Sequence, residues 1–117
     1  MLAFWHQPFQ SSGLHGNTPA MADIWRVLAA AHVDLVLSGH DHDYERFAPR
    51  DGMRQFVVGT GGRSIYPHGP PISGSEVVSS AGFGVLQLTL RSSGYDWRFV
   101  PAPGNTFTDS GSATCAA

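Results

Sequence analysis

The chain has 117 residues, enough for one small domain with a core of its own. Hydrophobic residues make up 42% and charged residues 14%, which excludes a disordered chain. The net charge is −2, with no basic stripe, so neither nucleic acid nor an acidic membrane is an expected partner, and no apolar run approaches the ~20 residues of a membrane-spanning helix.

Met1–Trp5 is a short apolar run of the kind that forms a strand buried on both faces. It lacks the basic region and cleavage site of a signal peptide, and a core strand that starts so abruptly is not expected at a natural N-terminus. Residues 6–17 hold Pro8, Ser11, Ser12, Gly13 and Gly16 and read as a loop. Thr18 followed by Pro19 predicts a helix N-cap with proline at the first helical position. Met21, Ile24, Trp25 and Leu28 then recur as one apolar helical face. Val33–Leu37 is a second buried strand, so the segment is a βαβ unit whose strands are parallel and end at the same edge of a sheet. His6 follows the first strand; His40 and His42 follow the second, in the loop that opens with Gly39. These three histidines are therefore expected to converge on one rim, as a metal site would require.

Residues 48–75 read as one short strand, Gln55–Val58, and irregular chain. The glycines at 59–62 permit close backbone approach, and Tyr66–Gly74 reads as a surface loop. Residues 76–117 predict antiparallel structure. Gly84–Leu90 alternates, Ser92-Ser93-Gly94 turns the chain, and Tyr95–Val100 returns with Trp97 and Phe99 on one face. The tail from Pro101 reads as an extended edge or a loose end, and Cys115 as a free thiol whose partner, in a secreted protein, would lie elsewhere.

Gly39-His40-Asp41-His42 followed by Tyr44-Glu45-Arg46 resembles the GHxH signature of the calcineurin-like metallophosphoesterases, in the GHxHxYER form of the purple acid phosphatase branch. Trp5-His6-Gln7-Pro8 with Ser11-Ser12-Gly13 and His15-Gly16 is similar to that branch's preceding histidine motif. Val58-Gly59-Thr60-Gly61-Gly62 and Phe107-Thr108-Asp109-Ser110-Gly111 also fit. The resemblance implies an α/β fold: the C-terminal half of a four-layer α/β/β/α sandwich, with a βαβ unit followed by mostly antiparallel strands. It implies metal-assisted hydrolysis of a small phosphate ester by a water activated at a dinuclear centre of iron, zinc or manganese, and an exported, secreted or periplasmic enzyme. Carried over, His6 and His40 would bind one metal and His42 the other. His15 would contact the phosphoryl group or protonate the leaving oxygen. Asp41, Asp43, Tyr44, Glu45 and Arg46 would support the ligands or line the substrate site; for Asp41 and Asp43 the alternative is a pair of solvated loop residues, and Glu45 and Arg46 read rather as a structural ion pair or as holding the loop.

The family's early aspartate motif, its GDxxD or GDxxY motif and its GNH(D/E) motif do not occur in these 117 residues. The expected reading is thus a portion of a longer enzyme, in which this chain alone holds at most one metal, weakly, is itself inactive, and self-associates through the sheet exposed by the missing N-terminal half. The alternatives are a non-catalytic metal-binding or interaction remnant, and a phosphodiesterase. For His40 and His42 the alternative is a polar turn bonded to the backbone; for His32 and His68, plain surface positions.

Overall fold

In the computed structural model, which describes residues 1–116, the first apolar run forms strand β1 (Leu2–Phe4). The chain then makes a 3₁₀ turn (Pro19–Met21), helix α1 (Ala22–Ala30) and strand β2 (Leu35–Ser38). β1 pairs with β2 in parallel, Leu2 opposite Leu35 and Phe4 opposite Leu37, so the crossover is the predicted βαβ unit. Two local expectations are corrected. Thr18 is extended but caps nothing with its side chain, and the turn after Pro19 tightens to 3₁₀ before the α-helix begins. On α1, Trp25 alone is fully buried, while Ile24 faces outward at 45% exposure. The shorter helix leaves only a narrow stripe against the sheet.

Strand β4 (Arg54–Val58) adds in parallel to β2, and strand β3 (Tyr44–Phe47) pairs antiparallel with β4 on its other edge. Strand β5 (Ser75–Ser79) pairs antiparallel with β3 and completes the order β1-β2-β4-β3-β5. Residues 44–47, expected as loop, are therefore an internal strand. So are residues 75–79 a strand, across the expected boundary at 75/76. The second sheet is β6 (Gly84–Leu90), β7 (Gly94–Pro101) and β8 (Ser110–Thr114), all antiparallel. The predicted hairpin is β6–β7, and the polar tail forms the extended edge strand β8.

Three layers result: α1, the five-stranded sheet and the three-stranded sheet. Trp25, Val33, Val36 and Met53 fill the space under the helix. Leu35, Tyr44 and Phe56 meet Tyr95, Trp97 and Phe99 between the sheets. The inter-sheet layer also holds charge. Arg46 donates to both oxygens of Asp109, at 2.7 and 3.2 Å, and the Tyr44 hydroxyl donates to the same carboxylate at 2.7 Å. The guanidiniums of Arg46 and Arg54 stack on Trp97, 5.1 and 5.0 Å from its ring. Burial raises the Asp109 carboxyl, but the bonds from Arg46 and Tyr44 outweigh it and hold the group below the ordinary carboxylate range.

Candidate metal centre

Parallel pairing brings the two histidine-bearing loops to one edge. The Trp5 amide donates to the Leu37 carbonyl at 3.1 Å and the Gly39 amide to the His6 carbonyl at 3.0 Å, so the loops leave their strands already joined. His40 then takes a left-handed backbone, φ 70°, a conformation unusual for a residue other than glycine. This turn brings His40 Nδ1 to 3.1 Å from His6 Nε2. The His15 ring packs against His40, tilted at 35°, with ring centroids 4.1 Å apart. His42 turns elsewhere: its Nδ1 lies 2.6 Å from the Ser64 carbonyl and its ring stacks on Tyr66 at 4.6 Å. The structure thus assembles His6, His15 and His40, while His42 meets the loop after β4. Among the described residues, no group of three or more histidine, cysteine, aspartate or glutamate side chains is arranged to hold a metal ion.

The long loop that carries His15 is pinned by buried polar groups. Asp41, fully buried, accepts from the Ser11 hydroxyl, from the His15 amide at 2.9 Å and from His15 Nδ1 at 2.7 Å. Burial alone would raise Asp41; these bonds prevail and hold it below the ordinary range. Glu45, also fully buried, accepts from the Ser12 amide at 2.8 Å, the Ser12 hydroxyl at 2.5 Å and the Ser75 hydroxyl at 2.6 Å. Gln55 exchanges two bonds with the backbone of Gln10. Gly59 lets the histidine loop dock on β4, because a side chain there would collide with the Asp41 carbonyl. The expected role of the 59–62 glycines in close approach is this contact.

Glu45 and Arg46 do not pair with each other. Successive strand residues point to opposite faces, so Glu45 holds the serine loop while Arg46 joins Asp109 and Glu76. Tyr44 lies in the inter-sheet core, so neither it nor Arg46 lines the histidine cleft. Asp43 is fully buried and neither of its oxygens has a hydrogen-bond partner among the described residues. Burial, reinforced by the charges of Asp41 and Glu45 and opposed by His68, pushes its carboxyl up to about 7. His68 bonds to the neighbouring Gly69 carbonyl, and exposed His32 takes a left-handed backbone at the helix end.

The donor set suits a borderline divalent cation. His40 is held below the usual histidine range, first by burial and then by the neighbouring His15 and His6. Two imidazole nitrogens on one cation, each about 2.0–2.1 Å from it, stand about 3.0–3.4 Å apart. The observed His6–His40 nitrogen separation of 3.1 Å falls in that interval. His42, with its Nδ1 on a carbonyl, keeps Nε2 free in the way that metal-bound histidines do. A cleft of about 410 Å³ opens beside His6 and Gly39, walled by Phe4, Trp5 and Val85. Nothing local in the sequence marks Gln55 or Ser75, whereas Tyr66 lies in a loop with glycines before it and prolines and glycines after it.

No family model matches the chain. It is 35% identical over 65 residues to purple acid phosphatase 3 of Arabidopsis thaliana and 31% identical over 62 residues to purple acid phosphatase 4 of the same plant. These alignments cover 55% and 52% of the chain but only 18% of either relative, so the chain spans about a fifth of their length. Among solved structures, purple acid phosphatase PPD1 from yellow lupin (Lupinus luteus) seeds superposes over 97% of the chain and 24% of its own, with a TM-score of 0.85 and 21% identity, which speaks to fold. GAP50, the anchor in the inner membrane complex of Plasmodium, superposes over 89% of the chain and 33% of its own, with a TM-score of 0.72 and 31% identity. Over about half of its length in sequence, and over nearly all of it in fold, the chain is similar to purple acid phosphatases.

Proposed function

We propose that the chain supplies the histidine-bearing part of a phosphate-ester hydrolase, an exported phosphomonoesterase whose centre is completed by carboxylates from a longer polypeptide. The observation that carries this reading is the meeting of His6 Nε2 and His40 Nδ1 at 3.1 Å, at the ends of two parallel strands. His6 and His40 would hold one cation and His42 would offer Nε2 to a second. Iron, zinc or manganese at such a site polarises phosphoryl oxygens and lowers the pKa of a bound water. The chain's own part is positional. Asp41 takes the Nδ1 proton of His15 as an acceptor and fixes the ring, leaving Nε2 as the nitrogen free to meet a phosphoryl or leaving-group oxygen. Ser11 and Ser12 hold the loop in place through Asp41 and Glu45.

Zinc titration of the chain tests this. One Zn²⁺ bound weakly, with binding lost in His6→Ala and in His40→Ala, is the expected result; equal binding by all three proteins would overturn it. Hydrolysis of p-nitrophenyl phosphate is expected only when the chain is carried within a longer protein supplying the absent motifs. A second reading, a non-catalytic interaction module, is favoured by the 31% identity to an anchor protein, and metal-independent function in the longer protein would select it.

A further inference from the structure

Three residues of the loop after β4, Ser64 to Tyr66, cross the histidine cluster. The Ser64 carbonyl sits 2.6 Å from His42 Nδ1. A carbonyl only accepts, so Nδ1 carries the proton and Nε2 keeps its lone pair. In water a histidine favours the opposite tautomer, so this contact works against an intrinsic preference. The Tyr66 ring stacks on His42 with an interplanar angle of 29°. Its hydroxyl lies 3.1 Å from the His40 carbonyl, 3.2 Å from His15 Nδ1 and 3.4 Å from Asp41 Oδ1. One hydroxyl has one proton. It goes to the His40 carbonyl, and the oxygen accepts a share of the His15 Nδ1–H that Asp41 also receives at 2.7 Å. Ser64 itself is exposed and belongs to no strand or helix, so the position of its carbonyl depends on the anchor two residues later.

We propose that Tyr66 is a positioning residue of the histidine cluster: it clamps the Ser64–Tyr66 strap across His40, His42 and His15, and thereby holds His42 with Nδ1 protonated and Nε2 open to a divalent cation. This rests on the metal-binding reading above. The strap joins residues from three separate stretches of chain, and through the ring and the hydroxyl it addresses both histidine loops at once.

Long-range ¹H–¹⁵N spectra of the imidazoles, recorded at about pH 8 where an ordinary histidine is neutral, read the tautomers with no metal present. The wild-type chain and Tyr66→Phe, which keeps the stacking ring, are expected to show His42 as Nδ1–H. Tyr66→Leu is expected to return His42 to the Nε2–H form while its backbone amide spectrum outside the loop is unchanged. An unchanged His42 tautomer in folded Tyr66→Leu overturns the proposal. If His40→Ala binds Zn²⁺ as the wild type does, the metal-site reading fails instead, and the tautomer spectra decide the strap by themselves.

Discussion

Replacing Asp43 by asparagine should stabilise the chain, and more at alkaline than at acid pH. Asp43 is buried, its carboxyl has no hydrogen-bond partner among the described residues, and it is raised from 3.8 to about 7. Below about pH 4 the folded and unfolded chains both keep this proton and the group costs nothing. Between about pH 4 and 7 the folded chain holds the proton and the unfolded chain does not, so stability falls as pH rises; above about pH 7 the loss is complete. At about 1.4 kcal/mol per unit the full loss is about 4 kcal/mol, of which about 2–3 kcal/mol falls between pH 5 and 8. Asparagine has nearly the same shape and no charge to lose. Urea unfolding followed by tryptophan fluorescence, on wild type and Asp43→Asn at both pH values, isolates the term because titrating groups distant from Asp43 cancel in the difference. With a slope of about 1–3 kcal/mol per molar urea, the gap between the two midpoints should widen by about 1–2 M on going from pH 5 to 8. A gap that is constant, or that narrows, refutes the assignment of a neutral buried carboxyl.

Glu45→Ala should destabilise by about 3 kcal/mol or more in the same assay, because it strands the Ser12 amide, the Ser12 hydroxyl and the Ser75 hydroxyl. It should also free the His15 loop, seen as loss of the His15–His40 contact in imidazole spectra. Gly59→Ala should cost about 2 kcal/mol and weaken Zn²⁺ binding, since the new methyl displaces the Asp41 carbonyl and the histidine loop with it. Phe4 on edge strand β1 is 78% exposed and Val85 across the cleft 59%, so the chain should self-associate with rising concentration in sedimentation velocity, and Phe4→Glu should return it to monomer.

The βαβ unit was legible because its two apolar runs and their crossover admit one handed, parallel arrangement, and that alone placed His6 and His40 on a common edge. Strand β3 was not, because the charges of Glu45 and Arg46 mask an alternation whose partners come from distant segments, the serine loop on one side and Asp109 on the other. Strand β5 was hidden by the serines at both its ends. The rim position of His42 could be read, but its orientation could not, since Ser64 and Tyr66 reach it from a loop about two dozen residues downstream. Tyr66 bonds to a histidine 51 positions away, and no local pattern encodes such a contact.

Strand β3 has only four residues, and it turns an anion to one side and a cation to the other. A slip of one position along its neighbours would push the Glu45 carboxylate towards the face of Trp97 and drive the Arg46 guanidinium among the donors of Ser12 and Ser75. Mispairing here would strand two opposite charges at once. The strand is therefore keyed like a two-pronged plug: polarity, more than greasiness, dictates the one alignment in which it seats, and the same seating sets the histidine loop on one side and the packing of the second sheet on the other.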